Sequence, residues 1–165
     1  MNKGKSNINY SSLNNSKESA SLMKSYISCN ATLHSDEGEY VNNGKRHSSG
    51  GHGQTSLDYF EKKKIEYIIN KEYNNGVRVG NIPWSKQPLS REGNNHTWFP
   101  QNWTIADIRE AGEAISNKYR NQKIKDGEKR SIIHKGVKVV AIYNRGEVST
   151  VFPDKHQRGG IKYDK

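Results

Sequence analysis

The chain has 165 residues, which is enough for one domain with additional terminal segments. It contains 27 lysine and arginine residues against 17 aspartate and glutamate residues, and this formal net charge of +10 favours a polyanionic partner such as nucleic acid. Because Cys29 is the only cysteine, an intrachain disulfide and a cysteine-rich zinc site are both excluded.

The N-terminal segment predicts a linker. Residues 1–16 are rich in Asn, Ser and Lys and have few apolar side chains to bury, so we expect a flexible linker followed by a single domain over residues 17–165. The first residues lack the apolar stretch of a signal peptide, and no apolar run is long enough to cross a bilayer. We therefore expect no membrane span, and an export address carried by another polypeptide or region.

The first part of the domain predicts helices on either side of a loop. Residues 17–28 have the composition of a short, weakly amphipathic helix. Residues 37–53 are dense in Gly, Asn and Ser, which favours a loop. Residues 56–65 place Leu, Phe and Ile on one side of a helix, with Ser56 as its N-cap.

A hairpin and the strongest helix signal follow. Residues 65–73 predict a strand, which turns through Asn-Asn-Gly into a second strand. After Trp103, Thr104 and Asp107 have the spacing of a capping box, and apolar residues then recur at helical intervals. The sequence therefore predicts a long helix that begins at Thr104.

The C-terminal part predicts a closing hairpin. A polar loop over residues 121–130 precedes two strands, residues 135–144 and 146–154, which are joined by an Asn-Arg-Gly turn. Early and central helices with antiparallel strands around and after them predict an α+β fold, in which a small helical N-terminal part packs with antiparallel hairpins.

Four short motifs occur in order along this domain. His34 stands four residues before a glycine and an acid, and His52 follows a glycine pair. Phe-Pro-x-x-Trp at residues 99–103 precedes the long helix, and Thr-Val-Phe-Pro at residues 150–153 ends the last strand. This ordered set resembles the bacterial EndoU ribonuclease family, which supplies the toxic tips of contact-dependent and other polymorphic toxins. The resemblance covers residues 31–155 and implies the ribonuclease A-like fold of that family.

Two positions depart from the pattern of that family. Many members have a lysine three residues before the Phe of the Phe-Pro pair, whereas this chain has His96 there. Phe152 stands where tyrosine is common, so the ring is kept but the hydroxyl is lost. We expect Lys86 to supply the active-site cation in this chain, with His96 as the next candidate.

The residue types suit RNA cleavage without a metal ion or any other cofactor. The ribose 2′-OH attacks the adjacent phosphorus, so one group must take the 2′-OH proton and another must protonate the leaving 5′-oxygen. Two imidazoles can do both near neutral pH, each contributing roughly 10²–10⁴-fold. We expect His34 and His52 to be this pair and the products to carry 2′,3′-cyclic phosphate and 5′-hydroxyl ends.

Further side chains are expected around this pair. The predicted catalytic residues are His34, His52, Lys86 and Thr150, and the predicted substrate contacts are His47, Gly51, His96 and Phe152. A glycine pair lets backbone amides approach a phosphate, and an aromatic ring can stack on a base. His47 lies in a basic stretch and is expected to be exposed or to contact phosphate rather than to be catalytic; it is the alternative if His34 is wrongly assigned.

Two other functions stay open from the residues alone. His34, His47 and His52 could bind the metal ion of a metal-dependent nuclease, although no carboxylate or cysteine stands at ligand spacing beside them. A basic, non-catalytic nucleic-acid-binding domain would explain the charge but leaves the histidines and the glycine pair without a role.

The resemblance also implies partners and a place of action. A toxin domain of this family would act on RNA, with tRNA as one candidate, in the cytoplasm of a target cell after delivery as part of a larger toxin. Because such an enzyme would harm the cell that makes it, the resemblance implies a cognate immunity protein that covers the cleft.

Overall fold

The computed structural model describes residues 27–86 and 95–165, which form an α+β fold as the sequence predicts. Within these residues there are three helices and nine strands, in the order α1 (Cys29–Asp36), β1 (Glu39–Val41), β2 (Arg46–Ser49), α2 (Gln54–Lys63), β3 (Ile68–Tyr73), β4 (Arg78–Asn81), β5 (His96–Trp98), α3 (Ile105–Tyr119), β6 (Lys129–His134), β7 (Val137–Asn144), β8 (Glu147–Pro153) and β9 (Ile161–Asp164). The strands form antiparallel sheets with the orders β1-β2, β5-β4-β3-β9 and β6-β7-β8. The linker predicted over residues 1–16 lies outside the described residues.

Helix α1 was not predicted. The helix expected over residues 17–28 lies outside the described residues except at its last two positions, where Ser28 is extended and caps α1 instead. The Ser28 side chain accepts a hydrogen bond from a backbone N–H of the first turn of α1. Near the other end of the helix, the buried hydroxyl of Ser35 accepts a hydrogen bond of 2.9 Å from the Val151 N–H of β8. This bond holds the C-terminal end of α1, and with it His34, against β8.

The segment over residues 37–53 is not the loop that the sequence predicts, because it contains β1 and β2. Asn42, Asn43 and Gly44 adopt positive φ and form the tight turn between these strands. Asn and Gly indicate a loop and a hairpin turn equally well, which is why the short strands were missed. The hairpin places Glu39 directly after α1.

Helix α2 begins earlier than predicted. Gly53, and not Ser56, is the N-cap. The buried Ser56 hydroxyl lies in the first turn and donates to the carbonyls of Gly51 and Gly53, at 2.8 and 2.9 Å. A serine in the first turn gives the same sequence signal as a capping serine. The predicted apolar side is buried in a cluster formed by Leu57, Phe60, Ile65, Ile82 and Trp98.

The hairpin of β3 and β4 and the long helix α3 are confirmed. At the start of α3 the Thr104 side chain accepts from the Asp107 N–H, and the Asp107 carboxylate accepts from the Thr104 N–H at 2.7 Å, so the capping box is complete. The helix buries Ile108, Ala111, Gly112 and Ile115, whereas Ile105 is 40 % exposed. These buried residues pack against α1 and the β6-β7-β8 sheet.

The C-terminal sheet has three strands, one more than the sequence predicts. Strand β6 begins at Lys129, inside the polar segment 121–130 that was assigned to a loop. Its side chains alternate between two faces: Ile132 packs against the core, while Lys129 faces the other way, opposite Ile142 of β7. The polar residues at the start of this strand hid it in the sequence.

Two groups of buried side chains form the core. The larger group joins α1, α3 and the β6-β7-β8 sheet, and the smaller group joins α2 with β5 and the end of β4. None of the helices in the described part of the chain is long and apolar enough to cross a membrane.

Candidate active site

A cavity of about 560 Å³ lies where the end of α1, the glycine loop after β2, strand β5 and the C-terminal sheet meet. It is lined by His34, Gly50, His52, Asn95, His96, Thr97, Lys129, Val140, Ile142, Thr150, Phe152, Asp154, Lys155 and His156. The structure therefore brings together five of the predicted site residues, namely His34, His52, His96, Thr150 and Phe152. Three others, His47, Gly51 and Lys86, do not line the cavity.

The glycine loop fixes the position of His52 relative to His34. The N–H groups of Gly51, His52 and Gly53 donate in succession to the last carbonyls of α1, those of residues 34–36, at 2.9, 2.6 and 3.0 Å. These bonds satisfy carbonyls that a helix end leaves unpaired. Gly50 has a φ of +64°, and a Cβ on it would overlap the carbonyl oxygen of His34. The glycines are thus needed for close approach to α1, and the Gly51 amide is already donated rather than free for a phosphate.

His52 is held as a neutral imidazole. Its Nδ1–H donates to the Thr97 carbonyl at 2.7 Å, so Nε2 carries a lone pair, and that atom has no hydrogen-bond partner among the described residues. Burial of the ring lowers its pKa to about 3, an effect that the Thr97 carbonyl opposes and that the nearby rings of His47 and His34 reinforce. Near neutral pH, Nε2 of His52 is therefore a proton acceptor.

His34 has a different environment. Its Nδ1 lies 3.0 Å from Oε1 of Glu39, and the other carboxylate oxygen accepts a hydrogen bond from Ser49 at 3.0 Å. The hydrogen bonds from His34 and Ser49 lower the pKa of Glu39, so its carboxylate stays charged and can balance a proton on the imidazole. Nε2 of His34 lies beside Gly50 and has no hydrogen-bond partner among the described residues.

The facing wall of the cavity is one side of the β6-β7-β8 sheet. The register aligns Lys129, Ile142 and Thr150 in one row across the three strands, and residues that lie directly opposite share a face. Phe152, two residues after Thr150, lies on the same face, and Nζ of Lys129 lies 5.8 Å from the centre of its ring. This wall presents a cation, a hydroxyl and an aromatic ring to the two histidines.

Comparison with known protein families gives a match over residues 30–155, to the family described as bacterial EndoU nuclease. The chain belongs to this family. The match covers most of the chain and confirms the resemblance drawn from the four motifs. Comparisons with curated proteins and with solved structures gave no significant match. Family membership supports a nuclease that acts on a nucleic acid.

In this EndoU domain, His96 occupies the position where many members have lysine, and it is not a cation. Its Nε2–H donates to the Gly51 carbonyl at 2.9 Å, and its ring stacks on that of His52. Burial, reinforced by the neighbouring imidazoles of His52 and His47, holds the pKa of His96 well below the ordinary value. The expectation that His96 could supply the active-site cation is therefore not supported.

His47 is buried, and the expectation that it is exposed was wrong. Its Nε2–H donates to the Gly50 carbonyl at 2.9 Å, and its Nδ1 accepts from the Ser85 hydroxyl at 2.8 Å. Burial lowers the pKa of this ring too. His47 thus supports the glycine loop through its hydrogen bond to Gly50. It does not line the cavity and is therefore not placed to replace His34.

The Lys86 side chain is exposed, and its backbone N–H donates to the His47 carbonyl at 2.9 Å. Lys129 and Lys155 line the EndoU cavity instead. Lys129 was missed because the polar segment 121–130, which includes the start of β6, favours a loop. Strand β6 shows no alternation of polar and apolar residues, and the signal that could have found it is the Lys135-Gly136 pair, which forms a two-residue hairpin turn before β7.

The three histidines considered as metal ligands do not converge. Among residues 27–86 and 95–165, no group of three or more His, Cys, Asp or Glu side chains is placed to hold a metal ion. His47 uses both ring nitrogens for the Gly50 carbonyl and Ser85, and His52 uses Nδ1 for Thr97.

Proposed function

We propose that this EndoU nuclease is a metal-independent endoribonuclease in which His52 is the general base and His34 the general acid. One observation carries the proposal: both imidazoles line the same cavity, and each has Nδ1 held by a protein oxygen while Nε2 has no partner among the described residues. This is the arrangement in which a ring nitrogen can exchange a proton with a substrate oxygen.

The different environments of the two rings support different roles for them. His52, with its pKa lowered to about 3, is unprotonated near neutral pH and takes the proton of the ribose 2′-OH at Nε2. The 2′-oxygen then bonds to phosphorus, and the bond from phosphorus to the 5′-oxygen breaks. Protonated His34 donates Nδ1–H to Glu39 and transfers its Nε2 proton to the leaving 5′-oxygen. The products are a 2′,3′-cyclic phosphate and a 5′-hydroxyl.

Lys129 is the cation proposed to stabilise the charge on the phosphorane oxygens. It lies in one row with Thr150 on the wall that faces the histidines, and its Nζ is near the Phe152 ring. Thr150 and Phe152 are proposed to contact one nucleotide, the hydroxyl at a base edge and the ring by stacking. The Thr150 hydroxyl has no hydrogen-bond partner among the described residues, which leaves it available for this contact.

The biological setting is also part of this proposal. The net charge of +10 suits an RNA substrate, with tRNA as one candidate. The family resemblance suits a toxin that is delivered into the cytoplasm of a target cell, while the producing cell makes an immunity protein that protects it. Induced expression of the wild type should stop growth and fragment RNA, whereas the His34→Ala variant should do neither. Fragmentation of DNA alone would contradict this setting.

A single deoxyribose tests the proposed reaction. An RNA oligonucleotide is cleaved by the purified protein in excess EDTA, and a second oligonucleotide carries 2′-deoxyribose only at the mapped cleavage position. We expect cleavage of the first and none at the modified position of the second, because the nucleophile is missing there. Equal cleavage of both, or activity that depends on added divalent ions, would favour the metal-dependent nuclease.

A further inference from the structure

A second cavity, of about 420 Å³, adjoins the active-site cavity. It is lined by Lys118 at the end of α3, by Ser131, Ile132 and Ile133 of β6, by Lys138 of β7, and by His156, Gln157 and Arg158 after β8. His156 lines both cavities. In addition, the cross-strand row of Ser131, Val140 and Phe152 runs from the second cavity into the first. The two cavities therefore adjoin at the face of one sheet.

The segment that carries His156 and Arg158 is held firmly. The side-chain amide of Gln157 donates to the carbonyls of Lys138 and Asp154 at 2.9 and 2.8 Å, and its oxygen accepts from the Lys138 N–H at 2.8 Å. The same oxygen accepts from Asn75 at 2.9 Å. Because both polar atoms of its side chain bond to Lys138, Gln157 ties this stretch to the start of β7. The second cavity is thus shaped before any ligand binds.

The charged side chains of this cavity suit the phosphate backbone of a nucleic acid. Three of its lining residues, Lys118, Lys138 and Arg158, are cationic, and none is acidic. Lys138 pairs with Asp154 at 2.9 Å, but Lys118 and Arg158 are exposed and make no ion pair within residues 27–86 and 95–165. Ile133, which is 55 % exposed, adds an apolar surface beside these charges. Cationic side chains along a groove are what the phosphates of a single-stranded nucleic acid bind.

We infer that the second cavity is a subsite for single-stranded RNA, in which Lys118 and Arg158 bind backbone phosphate beyond the bond that is cleaved. The inference rests on the proposed function, because the strand would leave the catalytic cavity past His156 and enter the second one. A substrate too short to reach this subsite does not use it. The subsite therefore affects the use of long RNA and not the chemical step.

The test compares two double variants that remove the same charge. Lys118→Gln/Arg158→Gln alters the subsite, and Lys62→Gln/Lys63→Gln alters exposed residues of α2, which lines neither cavity. Each is assayed on long single-stranded RNA and on a complete set of dinucleoside phosphates. Binding is measured separately with a single-stranded oligonucleotide that is 2′-O-methylated throughout and so cannot be cleaved.

We expect the subsite variant to raise KM for long RNA several-fold while leaving kcat/KM for the dinucleoside phosphates at the wild-type value. Its binding should depend less on salt: the slope of log affinity against log salt should be smaller in magnitude by about 1.4, which is roughly 0.7 for each of two single-strand phosphate contacts. The α2 variant should change the KM for long RNA and the salt dependence of binding by less than the subsite variant does. Equal binding by the two variants, or an equal loss on dinucleoside phosphates, would overturn the inference. A wild type that cleaves no RNA overturns the proposed function instead, and the binding measurement still decides the subsite.

Discussion

The imidazole rings of His52 and His96 stack with a 4° angle between their planes and 4.4 Å between their centres. Both rings are neutral because burial lowers their pKa values, and each donates one hydrogen bond to a backbone carbonyl, that of Thr97 or Gly51. A proton on either ring would place a charge in a poorly solvated stack. The active site is therefore also a pH-sensitive part of the fold.

The first prediction concerns stability at acidic pH. A histidine whose pKa is lowered on folding binds a proton more readily when the chain is unfolded. Its contribution to the unfolding free energy is therefore complete above about pH 6.5, and it is lost as the pH falls toward the pKa in the folded state, about 3 for His52. The unfolding free energy should therefore fall through this window, by up to about 1.4 kcal/mol per pH unit for each such histidine. Urea unfolding at several pH values measures this.

A pair of glutamine variants shows which histidine is responsible. His96→Gln keeps a donor for the Gly51 carbonyl but cannot titrate, so the difference in stability between about pH 6.5 and pH 4 should shrink. The matched change at the exposed His156 should leave the wild-type slope. Identical slopes for all three proteins would show that His96 does not contribute to the pH dependence.

The second prediction concerns the acid–base pair. His52→Asn keeps an N–H that can donate to the Thr97 carbonyl but removes the base, and His34→Ala removes the acid. Each should lower kcat by roughly 10²–10⁴-fold with little change in Tm. His47→Ala should instead lower Tm, because its ring supports the glycine loop through a buried hydrogen bond. An active His34→Ala variant would show that the first histidine is wrongly assigned.

The third prediction identifies the cation. Lys129→Met should lower kcat by roughly 10²-fold, the usual cost of removing one group that stabilises charge in the transition state. Lys86→Met is the matched control and should keep full activity, because Lys86 is exposed and does not line the cavity. A kcat for Lys129→Arg that lies between those of the wild type and Lys129→Met would show that the positive charge at this position contributes to catalysis. The opposite result, loss in Lys86→Met alone, would restore the prediction made from the sequence.

The fourth prediction concerns the nucleotide that contacts β8. Phe152→Ala should raise KM by roughly 5- to 150-fold, since stacking on an aromatic ring contributes about 1–3 kcal/mol per base. Phe152→Tyr should retain activity because the ring is kept. Thr150→Val removes only the hydroxyl and should change the base preference found by sequencing the cleavage ends. If Thr150→Val keeps its preference and Phe152→Ala only lowers Tm, these residues support the fold and do not contact substrate.

Much of the fold was predictable because its signals are local. The capping box of Thr104 and Asp107, the Asn-Asn-Gly turn after β3 and the Asn-Arg-Gly turn between β7 and β8 each depend on a few neighbouring residues. The strands β1 and β2 and the start of β6 were missed because they are short or polar and carry little local strand propensity, although each pairs with the next strand along the chain. The N-cap of α2 was misplaced because the Ser56 hydroxyl bonds to the preceding carbonyls instead of capping.

The site was predictable only in part. Motif order along the chain identified His34, His52, Thr150 and Phe152, which the structure places around one cavity. The position of Lys129 depends on the register between β6 and β7, which the Lys135-Gly136 turn sets, and it was missed because the polar start of β6 favours a loop. The burial of His47 depends on its hydrogen bonds to Gly50 and to Ser85. Ser85 lies 38 residues further along the chain, and no motif links it to His47.

The end groups of the cleaved RNA test the central claim most directly. Purified protein is incubated with RNA in excess EDTA, and the fragments are analysed by mass spectrometry before any enzymatic treatment. Attack by the 2′-OH, with proton transfer by His52 and His34, predicts fragments that carry 2′,3′-cyclic phosphate and 5′-hydroxyl ends, and their absence with His52→Asn. Fragments with 5′-phosphate and 3′-hydroxyl ends, formed only when a divalent ion is supplied, would contradict the account.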